Sequence, residues 1–212
     1  SPMNLNAEKR LNGEGTMNAL PGWTNKPSKE TLAFMRRSSK VNIDDLINNK
    51  NICYMNKTRK AINEMVQRYI KPDDALLIEY KGDPNKYNQN TYLFKGAKLI
   101  MYYTPKDKLF KKNEEVEVVD YDDSKIVITN GIDTAGYSYI NNTGRNIFHN
   151  CYLPGYATSI HKSQGDTIEG DINVFNVDFL LSGFLGGRSS IKALYTALSR
   201  GKSLDNIKIC RL

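Results

Sequence analysis

The chain has 212 residues, 40% of them hydrophobic and 25% charged, a length that can bury a sizeable core and a balance ordinary for a globular protein. Its formal net charge of +7 favours polyanionic partners, because neutralised phosphates release counterions. Three isolated cysteines, Cys53, Cys151 and Cys210, argue against a disulfide framework or a cysteine zinc site, and no apolar run nears the roughly 20 residues of a membrane helix.

These features lead us to expect an intracellular protein, in the cytoplasm or the nucleus, with no membrane partner. Abundant Asn, Lys, Ile and Tyr match AT-rich coding, as in a large DNA virus or another AT-rich source. Ser1-Pro2-Met3 reads as a cloning scar, so a longer natural protein is expected.

Residues 1–27 read as a lead-in, because Asn, Gly and Pro recur without a period of about 2 or 3.6. Ser28 is a candidate N-cap for a helix over Thr31 to Arg37, with Glu30 in its first turn. A second short helix is predicted over Ile43 to Ile47. Asn51 to Met55 reads as a buried strand and Asn56-Lys57-Thr58 as a turn. Arg59 to Tyr69 then reads as an amphipathic helix with Ile62, Met65, Val66 and Tyr69 on one face, broken by Pro72. Strand, polar turn and helix in succession form the unit of an α/β domain.

Residues 81–91 are a predicted loop, rich in Gly, Asn, Lys and Pro. Beyond Lys95 the pattern changes to short β segments: Ala97 to Tyr103, Glu115 to Val119, and Lys125 to Thr129 with the turn Asn130-Gly131. From Ile147 the α/β pattern resumes. A helix is predicted over Ala157 to Gln164, a strand over Asp171 to Val177, a helix capped by Ser189 or Ser190 and running through Arg200, and a closing strand over Ile207 to Cys210.

The chemistry concentrates in two stretches. In Gly155-Tyr156-Ala157-Thr158-Ser159-Ile160-His161-Lys162-Ser163-Gln164-Gly165-Asp166-Thr167, a helix starting near Ala157 would turn first-turn N–H groups toward an anion. Thr158, Ser159, His161, Lys162 and Ser163 add donors suited to a nucleic-acid phosphate. The second stretch, Leu194-Tyr195-Thr196-Ala197-Leu198-Ser199-Arg200, ends a helix whose apolar face holds Ile191, Leu194 and Leu198.

In this order, and separated by one strand, the two stretches resemble motifs V and VI of superfamily 1 helicases, most closely the Pif1/RecD-like branch. The resemblance implies an α/β fold: a RecA-like parallel-sheet domain without a P-loop over 28–104 and 146–212, interrupted by an SH3-like β insert over about 105–145. It implies that Thr158, His161, Lys162 and Ser163 face single-stranded DNA, joined by Asn56 and Thr58 in a strand-to-helix segment whose helix bears Asn63. Gln164 and Gly165 would face the nucleotide, with Thr167 standing where some superfamily 1 members carry Glu. Arg200 would reach the γ-phosphate. Arg36 or Arg37 would supply a second arginine, with Arg59 in reserve.

ATP and Mg²⁺ would be bound mainly by the first motor domain, 1A, which is the implied partner together with single-stranded DNA and other replication proteins. No Gly-x-x-x-x-Gly-Lys-Ser/Thr occurs, so the resemblance implies half of an ATP site, inactive alone, from a 5′-to-3′ DNA helicase. Gly201-Lys202-Ser203 only mimics the end of a P-loop, since a helix precedes it and Thr196 stands where the first Gly is needed. Asp120 is read as an ordinary barrel-strand residue and His149 as a surface or interface residue. Two further readings stand beside this one: a nucleic-acid-binding module without a motor role, and a viral superfamily 1 RNA helicase domain.

Overall fold

The structure is a computed structural model and describes residues 29–160, 168–182, 193 and 196–212. In chain order its first elements are α1 (Lys29–Met35), β1 (Ser39–Lys40), α2 (Ile43–Asn48), β2 (Lys50–Cys53) and α3 (Asn56–Ile70). Then come β3 (Leu76–Ile78), β4 (Thr91–Leu93), β5 (Lys98–Met101), β6 (Glu115–Tyr121), β7 (Lys125–Thr129), β8 (Thr134–Ser138), α4 (Phe148–Cys151) and β9 (Tyr152–Pro154). The chain closes with β10 (Thr158–Ser159), β11 (Ile172–Phe175), α5 (Val177–Leu181) and β12 (Ile207–Arg211). Two compact units divide it: the chain up to Arg59 with Ala157–Leu212, and Lys60–Tyr156.

The first unit is α/β, as the sequence led us to expect. Among the described residues its five strands are all parallel, in the order β1-β12-β11-β2-β10. Register sets the two faces of the sheet. Ile172 pairs with Ile207, and Val174 pairs with both Ile209 and Ile52, so one face is aliphatic. Met35, Leu180, Ala193, Ala197 and Leu198 pack on it. Each large aliphatic side chain contributes about 1.5–3 kcal/mol on burial, so this face drives assembly.

The opposite face is built differently. Asn51 and Asn173 pair in register, and both are almost wholly buried. Asn173 Nδ2 donates to Asn51 Oδ1 at 2.8 Å and to Asp45 O at 3.1 Å, while Asn51 Nδ2 donates to Leu46 O at 2.8 Å. These bonds seat α2 on the sheet. A buried amide is tolerable only when its groups are paired, so the ladder and the helix require each other. The N-cap of α2 is Asn42, whose Oδ1 accepts from Asp45 N at 2.8 Å.

Helix α3 starts at Asn56, three residues before the predicted start, and ends before Pro72 as expected. Its buried face differs from the prediction. Met65 and Tyr69 are exposed, whereas Arg59, Ile62, Asn63, Val66 and Gln67 are buried. Two of the polar members are satisfied by the 81–91 loop and its neighbour strand. Gln67 Oε1 accepts from Tyr92 N at 2.8 Å, and Asn63 Nδ2 donates to Gln89 Oε1 at 3.3 Å.

The second unit carries the antiparallel sheet β8-β7-β6-β5-β9 and the pair β3-β4. In it β5 holds β6 on one edge and β9 on the other. Val116 and Val118 alternate inward. A bulge between Val118 and Asp120 breaks the alternation and leaves Val119 and Asp120 outside. His149 sits just before this unit's closing strand rather than on an open surface. Its Nε2–H donates to Glu79 O at 2.9 Å, its ring meets Tyr80 and Phe148 edge-on, and Nδ1 is buried.

Asn173→Ala should remove one donor each from the Asn51 amide oxygen and the Asp45 carbonyl, costing about 1–3 kcal/mol in chemical denaturation without changing secondary structure content. Burial lowers the pKa of His149, so the folded chain resists a proton that the unfolded chain accepts near pH 6.5. Stability from this group is therefore present above that value and lost as pH falls below it. The thermal midpoint of wild type should drop relative to His149→Phe between about pH 7 and about pH 5.

Candidate functional site

The strands of the first unit point the same way, so its sheet has one carboxyl edge and one amino edge. The carboxyl edge is organised by Asn176. This residue follows β11 and adopts a left-handed backbone, φ 68°, which Asn tolerates better than most residues. Its Oδ1 accepts from Met55 N at 2.9 Å, and its Nδ2 donates to Thr58 Oγ1 at 2.9 Å. One side chain thus ties the turn between β2 and α3 to the first turn of α3.

Asn56 and Thr58, the predicted strand contacts, lie in the first turn of α3. Asn56 Oδ1 accepts from Arg59 Nε at 3.1 Å and from Arg59 Nη2 at 2.8 Å. Arg59 is buried and lies beside Cys53. Burial pushes the Cys53 thiol up, with the Arg59 charge pulling the other way. Arg36 and Arg37 are exposed just after α1.

The approach to β10 departs from the prediction. No helix begins at Ala157. Thr158 and Ser159 are extended and pair in parallel with Ile52 and Cys53, and Ile160 N donates to Cys53 O at 3.0 Å. The free edge of β2 needs a partner for its backbone groups, and that need outweighs local helix preference. The anion site expected at a helix start near Ala157 is therefore absent: Thr158 stands on an edge strand at the carboxyl edge. Gly155 fits a tight passage over β5, since a Cβ there would lie 2.9 Å from the Leu99 carbonyl carbon. His161, Lys162, Ser163, Gln164, Gly165 and Thr167 lie outside the described residues.

Arg200 belongs to the amino edge. It is 8% exposed, and its Nε donates to Thr196 O at 3.2 Å, one turn back. Its carbonyl accepts from Ile168 N at 2.7 Å, and Lys202 Nζ meets Glu169 Oε1 at 2.8 Å. Two links therefore tie the Arg200 segment to the chain that follows 161–167. The Gly201-Lys202-Ser203 mimic serves packing: a Cβ on Gly201 would lie 3.0 Å from Ile207 Cγ1, at the start of β12. Among the described residues, no cluster of three His, Cys, Asp or Glu could hold a metal ion.

Sequence reasoning missed Asn176 altogether. Its one legible trace was an Asn directly after an apolar strand. It also missed a cleft of about 260 Å³ at the carboxyl edge, lined in part by Ser38, Thr58, Asn176, Asp178 and Arg211.

No protein-family model matches the chain, and no curated protein does. Among solved structures it is similar to Pif1 helicase from Bacteroides in complex with ADP-AlF3 and ssDNA, with TM-score 0.58 and 18% identity, covering 91% of this chain and 47% of that one. A second, Bacteroides Pif1 bound to ssDNA, gives TM-score 0.54 at 17% identity over 96% and 58%. Pif1 helicase from Candida albicans gives 0.54 at 16% over 92% and 52%. The chain thus shares the fold of a part of these proteins, and its parallel sheet matches their RecA-like domain. It spans about half the length of the structures it matches.

Asn176→Gly should keep the left-handed backbone but lose both side-chain bonds, lowering stability by about 1–2 kcal/mol. Asn176→Ala should cost roughly 1 kcal/mol more, because it adds the strain of a Cβ in that conformation. Chemical denaturation of the pair separates the grip from the backbone requirement.

Proposed function

We propose that the chain is the C-terminal motor domain of an ATP-dependent DNA helicase of the Pif1-like branch of superfamily 1, tracking 5′ to 3′ on single-stranded DNA. The observation that carries this reading is the division of the sheet into two chemically distinct edges. The residues that resemble strand contacts, Asn56, Thr58 and Thr158, stand at the carboxyl edge. Arg200 stands at the amino edge, tied to Ile168. The shared fold with Pif1 helicases, two of them bound to ssDNA, supports the same reading.

In this reading Asn56 and Thr58, with Thr158, Lys162, His161 and Ser163, hold the strand backbone through neutral donors and one lysine. Such contacts fix register without reading sequence. ATP with Mg²⁺ is bound by a first motor domain, 1A, and supplies the phosphoryl group. Arg200 lines the facing wall, and Gln164 and Gly165 are assigned to the nucleotide with it. An arginine placed against the transferring phosphoryl neutralises charge spread over its oxygens. Arg36 and Arg37, being exposed, are the candidates for a second cation, while Arg59 holds the carboxyl-edge turn through Asn56. The antiparallel unit takes the place of the SH3-like insert. Closing of 1A on this domain with ATP, and opening after hydrolysis, would give one-way stepping. We place the parent protein inside the cell, in replication.

In the full-length protein, Arg200→Ala should lower ATP turnover by about 10³–10⁵ and leave strand affinity nearly intact. Lys162→Ala should weaken strand binding and reduce its salt slope by about one. Arg200→Lys controls for packing around this buried position. Equal loss of thermal stability in both Arg200 substitutions, with turnover per folded molecule unchanged, would refute the assignment. Preference for single-stranded RNA over DNA across several salt concentrations would favour the RNA helicase reading.

A further inference from the structure

Apart from Thr58, the residues lining the cleft at the carboxyl edge of the parallel sheet have no role in the motor proposed above. The cleft lies where the ends of β11 and β12 face α5, within the first unit. Its volume of about 260 Å³ falls below the roughly 300–1,000 Å³ of pockets for drug-sized ligands, so it suits one flat heterocycle and little more. The lining is mixed in a specific way. Phe175, Val177 and Ile209 supply apolar surface, and Phe179 carries Tyr54 stacked on its ring, centroids 5.6 Å apart at 22°. Arg211 stands at the rim, with Nη1 donating to Ser38 O at 2.7 Å and to Ser38 Oγ at 3.3 Å. Asp178, on the same lining, supplies an exposed carboxylate acceptor.

From these features we infer that the cleft takes a single base of the bound strand. The inference rests on the strand-binding reading above and deepens it. A base offers a π-face for the aromatic wall, an edge bearing both acceptors and amino donors for Arg211 and Asp178, and a phosphate that stays outside. The cleft runs into the proposed strand path through Thr58. That hydroxyl accepts from Asn176 and so keeps its own proton to donate to the backbone of the same nucleotide. Stacking on aromatic side chains is indifferent to sequence, which suits a protein that must pass every base in turn. Arg211 and Asp178 then bias residence toward bases with an amino group rather than define a sequence.

The test uses the full 212-residue chain and single-stranded oligonucleotides carrying 5-iodocytosine, an amino-bearing base analogue that photocrosslinks to aromatic rings stacked on it. The crosslinked peptide should contain Phe179. Phe179→Leu, which keeps apolar packing, should lose that crosslink and bind the strand about tenfold more weakly, while an abasic strand should bind wild type and variant alike. Arg211→Ala, at an exposed position, should weaken binding of the normal strand more than of the abasic one. Crosslinks confined to other peptides, with strand binding intact, overturn the inference and leave the strand-binding reading standing. Wild-type affinity in Phe179→Leu would overturn it in the same way. A chain that binds no single strand at all overturns both.

Discussion

Strand β11 is the element on which the rest of the parallel unit depends. It is hydrogen-bonded on both edges, to β12 and to β2, and both of its faces are covered. Because side chains alternate, a slip of one residue would exchange its faces. Ile172 and Val174 would then meet α2, and Asn173 would enter the aliphatic core with no partner. The penalty for an unpaired buried amide fixes the register more firmly than apolar burial alone could. With the register fixed, so are its two ends: Asn176 against Thr58 on one side, and the Ile168 segment against Arg200 on the other.

The two edges differ in kind. The carboxyl edge is built from amides and hydroxyls that hold one another, and its organising residue has an unusual backbone conformation. The amino edge is built from backbone contacts around a buried arginine. Ile160 and Ile168 bound the stretch that joins them: the first is bonded to the end of β2, the second to the carbonyl of Arg200.

Much of this architecture was legible in the sequence, for identifiable reasons. The buried strands β2, β11 and β12 are short apolar runs, and β7 with its Asn130-Gly131 turn has the residues its geometry demands. What escaped had a tertiary cause. The apolar face of α3 was misjudged because Asn63 and Gln67 are buried against loop partners far away in the chain, a pairing no periodicity reveals. Strand β10 has two residues and exists only because β2 offers an edge. The Asn51–Asn173 ladder joins positions 122 residues apart, and nothing local to either marks it. Two stretches of sequence mark the candidate site, but its supporting residue, Asn176, belongs to neither.

That support changes how substitutions at the carboxyl edge must be read. Asn56 accepts twice from Arg59, so replacing it removes a proposed strand contact only together with a partner of a buried cation. Taking a hydrogen-bond acceptor away from a buried charge is costly in itself. An Asn56 variant that binds DNA poorly would therefore say little about contact. Thr58 is different: it accepts one bond from a neutral amide, and removing its hydroxyl leaves no charge stranded. Arg211 is better still, being exposed and bonded through its guanidinium to Ser38. The edge thus contains residues whose bonds hold its shape and residues that can be replaced without stranding a buried charge, and the hydrogen-bond pattern tells them apart.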